Sequence, residues 1–227
     1  MAEERIFETR GGFCAAYGDT DGSSITRDLG DTWDIITDMA IKLVPGGHPS
    51  HALAEAAANA ASAGQINPDE VETITLARPG VTALTGPIHP ADLIEMAHSP
   101  AYFLAAGVAD REFSWQHATE AKIADPVIHQ LIDKVRVGTP PTQQIEQYKQ
   151  GATVTIQTKD GLTFSSTVFA PKGAGFLGID WADVDAKFRT LVPGSGVSAQ
   201  QIEASLQLIH DFGNVEHGSQ LTSLLLT

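Results

Sequence analysis

Hydrophobic spacing along the chain outlines short helices and strands separated by turn residues. After Asp31, apolar positions at Trp33, Ile36, Met39 and Ala40 recur at three-to-four spacing and predict a helix that stops before Pro45-Gly46-Gly47. Ser50 is read as the N-cap of a second helix, HALAEAAANAASA over 51–63, with Gly64 as its stop. That helix is mostly alanine, so it packs closely while bringing little apolar area of its own. At Val71 the period shortens: VETITLAR sets Val71, Ile74 and Leu76 against polar residues and predicts a strand. A stretch rich in Ala, Leu and Met predicts a helix from about Pro90 to Val108. Two short helical pieces follow, around 115–121 and 125–132, then a strand in KVRV at 134–137. Residues 138–151, with two prolines and few apolar side chains, read as a connecting loop. The clearest local signal is a hairpin, ATVTIQT and LTFSSTVF around Lys159-Asp160-Gly161, whose Asp-Gly pair tolerates positive φ. Asp180 caps a helix marked by Trp181, Val184, Phe188 and Leu191. Ser198 with Gln201 forms a capping box for a last helix carrying Ile202, Leu206 and Ile209.

The order helices, strand, helices, three strands, helices predicts an α+β fold, a small antiparallel-sheet domain with packed helices rather than a βαβ repeat. No internal repeat, phosphate loop or Walker motif occurs. GAGFLG at 173–178 follows no convincing strand and lacks the dinucleotide fingerprint.

Charge narrows the functional classes. The 227 residues carry 14 Lys and Arg against 28 Asp and Glu, a formal net charge of −14, which makes nucleic acids and anionic membranes poor partners. An apolar share of 42% with 19% charged residues is enough for a core. Cys14 is the sole cysteine, so disulfide frameworks and cysteine zinc sites are excluded and a reducing compartment fits. The start, MAEERIFETRGG, is unlike a signal peptide, and no apolar run approaches the ~18 residues of a membrane span. A soluble, cytoplasmic protein is expected.

The segment Lys42-Leu-Val-Pro-Gly-Gly-His48-Pro-Ser-His51 gathers a cation, two imidazoles, a glycine pair and a helix start within ten residues. Gly46 and Gly47 leave backbone N–H groups accessible and Lys42 adds full charge, the parts of a carboxylate cradle. His48 or His51 titrates near enough to neutrality to move a proton on a bound substrate. A plain helix-to-helix turn with solvated histidines is the competing explanation. Farther on, His98-Ser99-Pro100-Ala101-Tyr102 places a phenol in an apolar helix, where a buried tyrosine with a satisfied hydroxyl is the simpler reading. His89, His117, His129, His210 and His217 have no metal-site spacing, and no metal is expected.

With these residues in view, the sequence resembles the C-terminal half of the MmgE/PrpD family. KLVPGGHPSHALAEAA is similar to the family's lysine, proline and histidine loop leading into a helix, and AHSPAYFLAAGV to its Ser-x-x-Tyr helix. DPVIHQLIDKVRV resembles the following helix and strand. ATVTIQTKDGLTFSSTVFAPKGAGFLGIDWADVDAKFRTL is similar to the hairpin, Pro-basic-Gly turn and Lys-Phe helix. The resemblance implies a lyase or isomerase that acts on small polycarboxylates without metal or organic cofactor, by proton abstraction next to a carboxylate. Dehydration, decarboxylation and epimerisation all occur in the family, and a hydro-lyase is the favoured expectation here. The resemblance places Lys42, His48 and Tyr102 among catalytic residues, with His51 beside them; Lys42, Gly46, Gly47, His51 and His98 are the substrate-binding candidates.

Departures from the family pattern set further expectations. Members are about twice this length, with a large helical domain formed mainly by their N-terminal half. His98 replaces the phenylalanine before Ser-x-x-Tyr, and His89 the arginine often found upstream. The leading expectation is the small subunit of a split enzyme, a hetero-oligomer whose partner chain supplies the helical half. Residues 1–40 and 192–227 then belong with the helical domain and 41–191 form the small α+β domain. The alternative is a non-catalytic binding or regulatory subunit that retains the fold.

Overall fold

The structure is a computed structural model that describes residues 12–17, 29–33, 40–174, 177 and 179–226, and the chain divides into two units, Met1–Met39 and Ala40–Thr227. In the first unit the described helix is α1 (Phe13–Tyr17). The helix expected after Asp31 runs through residues 34–39, outside the described residues.

In the second unit, alanine decides what meets what. Helix α2 (His48–Gly64) buries Ala52, Ala54, Ala56, Ala57, Ala60 and Ala61, leaving a smooth cylinder against which other backbones can come close. The sheet holds β1 (Val71–Ala77), β2 (Val135–Val137), β3 (Ala152–Thr158) and β4 (Thr163–Val168) in the order β2-β1-β3-β4. Between β1 and β2 lie α3 (Leu93–Ala97), α4 (Pro100–Asp110), α5 (Glu120–Ile123) and α6 (Pro126–Ile132). Helix α2 is sandwiched between the β3–β4 hairpin and α4. Gly107 of α4 is what permits that approach, since a Cβ there would lie 2.5 Å from the Ala54 carbonyl oxygen. Strand residues Val71, Ile74, Leu76, Val154 and Ile156 and helix residues Phe103, Leu104, Ile128 and Leu131 fill one continuous core.

The α+β class holds, and the Asp-Gly hairpin forms with Ile156 opposite Phe164. The sheet, however, is mixed. β1 pairs antiparallel with β3 but parallel with β2, Ile74 opposite Val135, because the intervening helices carry the chain across so that it returns in the same direction. The helix expected over Pro90–Val108 is two helices broken at Ser99, which accepts a hydrogen bond from the Tyr102 N–H at 3.2 Å and is followed by Pro100, a residue without an N–H. α2 likewise starts earlier than expected. Gly47, not Ser50, is its N-cap, and Pro49 fits the first turn, where no intrahelical N–H bond is needed.

Beyond the hairpin, α7 (Trp181–Leu191), α8 (Ala199–His210) and α9 (Ser219–Leu224) gather around a second, smaller cluster of Val197, Ile202 and Leu206 with Phe188 and Val192. Polar contacts tie α7 to the rest of the unit. Lys172 pairs with Asp183, and the Lys187 Nζ donates to the Lys42 carbonyl at 2.8 Å while lying 5.3 Å from the Trp115 ring centre. No described helix is long and apolar enough to cross a membrane.

Candidate active site

The loop that enters α2 is fixed by its backbone, which leaves its side chains free. Ile41 N–H donates to the Gly173 carbonyl at 2.9 Å, the Lys42 carbonyl accepts from Lys187, and the Leu43 carbonyl accepts from the Trp115 indole at 2.8 Å. Gly46 then turns the chain at φ +88°, over the Phe103 ring, where a Cβ would come within 2.5 Å of Cζ. The Gly47 N–H is not accessible as the sequence suggested; it donates to the Ala97 carbonyl at 3.0 Å, anchoring the loop to α3. The glycine pair therefore shapes the site more than it offers donors. Lys42 is exposed, and its ammonium makes no hydrogen bond or ion pair among the described residues.

His48 and His51 meet edge to face, their ring centres 5.0 Å apart. His48 Nδ1 lies 2.9 Å from the Gln150 side-chain oxygen, an acceptor, so this nitrogen carries the proton and Nε2 keeps the lone pair. Nε2 is buried without a hydrogen-bond partner among the described residues. His51 is 4% exposed, and among the described residues neither of its ring nitrogens has a partner in hydrogen-bond geometry. Burial chiefly, then the neighbouring His48 and, to a smaller degree, Lys42, push its pKa down from 6.5 to about 4, against a raising contribution from the nearby backbone of Gly46 and Pro45. His51 is thus a neutral imidazole at pH 7. Among the described residues these three buried ring nitrogens, on two adjacent histidines, lack partners, which is costly in a folded protein.

Two cavities flank this helix start. One of about 320 Å³ is lined by His51 with Leu43, Val44, Arg111, Phe113 and Lys172. The other, about 440 Å³, lies across the first turn and is lined by Gly47, Ser50, Arg78 and His98 among others. His98 donates from Nδ1 to the Ile94 carbonyl at 2.8 Å, which leaves Nε2 as an acceptor.

Tyr102 is fully buried, and its hydroxyl donates to the His117 carbonyl at 2.9 Å. Burial, then the charges of Asp125 and Asp110, raise its pKa well above the ordinary phenol value. His117 is a satisfied core residue, with Nε2 3.0 Å from Asp110 and Nδ1 accepting the Ser114 N–H. His89 and His129 stack, their Nδ1 atoms 2.9 Å apart. Sequence reasoning missed Gln150 and Arg78. Gln150 comes from the stretch read as loop, and no local pattern ties it to a histidine 102 residues away.

Fold and site together define the class: residues 45–211 match the model of the MmgE/PrpD C-terminal domain, and the chain belongs to that family. Among its relatives are the cis-aconitate decarboxylases of Homo sapiens and Mus musculus, each 24% identical, over 231 and 233 residues. Those alignments take in 99% of this chain but 48% and 47% of the relatives, so the chain spans about half the length of the curated relatives it matches.

Proposed function

We propose that the chain contributes the α+β part of a lyase that acts on a small polycarboxylate by proton transfer at a carbon next to a carboxylate. The observation that carries this is His48: a ring oriented through Nδ1 by Gln150, with the Nε2 lone pair buried and unpartnered. A base held in one tautomer beside a second, neutral imidazole is suited to take a proton from carbon as water leaves, or, once protonated, to deliver one to the carbon from which carbon dioxide has left. His51 supplies the neutral neighbour, which keeps positive charge from building up before substrate arrives. The Lys42 ammonium acts on His51 at a distance and would stabilise a substrate carboxylate or the enolate formed from it. Tyr102 takes no proton-transfer step, because its hydroxyl is committed to the His117 carbonyl.

The similarity to cis-aconitate decarboxylases supports a tricarboxylate as the first substrate to try, with loss of carbon dioxide or of water as the outcome to score. We further propose that the site is completed by a partner chain equivalent to the rest of the relatives' length, and the alignment over half of those proteins supports this. The test is to isolate the protein from its own cells under native conditions, weigh the assembly and assay it on cis-aconitate. A co-purifying helical chain and a His48→Ala variant slowed by about a hundredfold or more in kcat are expected. Unchanged turnover in His48→Ala would mean the chain is a binding or regulatory subunit, and full activity of the chain alone would remove the partner.

A further inference from the structure

Among the described residues, three of the four arginines each donate two or more hydrogen bonds to the protein itself. Arg111 donates to the carbonyls of Gln65 and Ile66 and to the Asn67 side chain, and Arg136 donates to the carbonyls of Asp133 and Val135. Arg189 engages Glu203 through two nitrogens. Arg78 differs. It follows β1, is partly buried, and makes one hydrogen bond, from Nη1 to the Pro49 carbonyl at 2.9 Å, with no carboxylate in ion-pairing distance among the described residues. In a chain with twice as many acids as bases, a half-buried guanidinium left without an acid is an unusual placement. Burial lowers its pKa from the ordinary value, the sign of a cation short of counter-charge.

Arg78 lines the cavity of about 440 Å³. Ser50, Thr82, Thr85 and His98 line it too, with Leu53 and Leu84 among its apolar residues. The three hydroxyls donate no hydrogen bond among the described residues, and the His98 Nε2 is an acceptor. A planar fork of N–H groups with hydroxyls nearby matches the two oxygens of a carboxylate, and partial burial strengthens that pairing. The bond to Pro49 ties the fork to the residue after His48, on the same helix turn.

We infer that Arg78 is the anchor for one carboxylate of a small organic acid, binding it in the cavity between the β1–α3 loop and the start of α2. That cavity lies across the first turn of α2 from the one that His51 lines. The inference deepens the polycarboxylate reading above and rests on it for the class of ligand.

The experiment is direct binding to the full chain, followed by calorimetry at low ionic strength, with cis-aconitate, its trimethyl ester and inorganic phosphate as probes. Saturable binding of cis-aconitate is expected, with weaker binding of phosphate, none of the ester, and about a tenfold loss in Arg78→Gln. Arg78→Lys, which keeps the charge but not the fork, is expected to lose a smaller factor. Circular dichroism establishes that each variant is folded; if Arg78→Gln is not, Arg78→Lys decides, and unchanged affinity there overturns the inference. So does an absence of saturable binding to the wild-type chain, equal affinity in a folded Arg78→Gln, or phosphate binding more tightly than cis-aconitate. Failure of the lyase reading looks different: binding would depend on Arg78, yet the native assembly would turn over no polycarboxylate.

Discussion

The body of the second unit and its C-terminal helices are built on opposite terms. In the body, α2 and α4 touch through alanine and glycine, backbone against backbone, and the core around them is continuous from β2 to β4. At the C-terminus, α7 and α8 pack around three buried side chains, Val197, Ile202 and Leu206, and a surface pair, Arg189 with Glu203 at 2.7 Å, while Gln201 of α8 donates to the carbonyls of Leu224 at 3.1 Å and Leu226 at 3.3 Å. Trp181, Leu191 and Phe212 in this region stay exposed. Close packing without large side chains is stiff but intolerant of added atoms; a small cluster under surface ion pairs opens easily and forgives change. The imidazole pair sits on the stiff side of this divide, at the N-terminal end of α2.

The strongest way to break the contrast is Gly107→Leu. The new side chain begins 2.5 Å from a main-chain oxygen that cannot step aside, so a loss of about 3 kcal/mol or more is expected, seen as a collapse of the main thermal transition. A variant that melts like wild type would mean that α2 and α4 do not pack as described. Leu206→Ala should cost about 2–4 kcal/mol, but locally. Hydrogen exchange is the measurement: amides of α8 and α9 lose protection while those of α2 and α4 keep theirs, and a uniform loss would merge the two regions into one cooperative block.

A third effect comes from His51. Unfolded, it takes up a proton near its ordinary 6.5; folded, it resists until about 4. The unfolded state therefore binds more protons between those values, and stability is full above about pH 6.5 and falls as pH drops toward 4. Lowering pH from 7 to 5 should remove about 2 kcal/mol through this group, read as the difference in denaturation slope between wild type and His51→Gln. Equal slopes would place His51 in water. The smallest effect is expected for Glu203→Gln, which loosens only the α7–α8 pair and leaves the main transition unmoved; the change should vanish in high salt.

Much of this arrangement was readable along the chain. The hairpin, β1 and the α8 capping box follow from alternation, an Asp-Gly turn and a Ser-x-x-Gln spacing, all of which act within a few residues. The helix carrying Tyr102 was harder, because its composition is continuous while Ser99 and Pro100 interrupt it. Parallel pairing of β2 was not readable, since three residues carry no mark of which neighbour they will meet. The site divides in the same way. Lys42, His48 and His51 share one loop and were legible together, and family resemblance drew Tyr102 to them. Gln150 and Arg78 reach the same helix turn from other elements, and only the fold brings them there.

The contact between His48 and Gln150 also bears on how the molecule assembles. It closes a loop of 102 residues, among the more distant pairings in the chain, and Gln150 reaches it from a left-handed backbone position just before β3. Loops of that length close late, after local helices and turns have formed. The bond from Lys187 that fixes the Lys42 carbonyl spans 145 residues, longer still, so loop and oriented ring complete together, and recovery of the oriented ring should be among the last signals to appear on refolding.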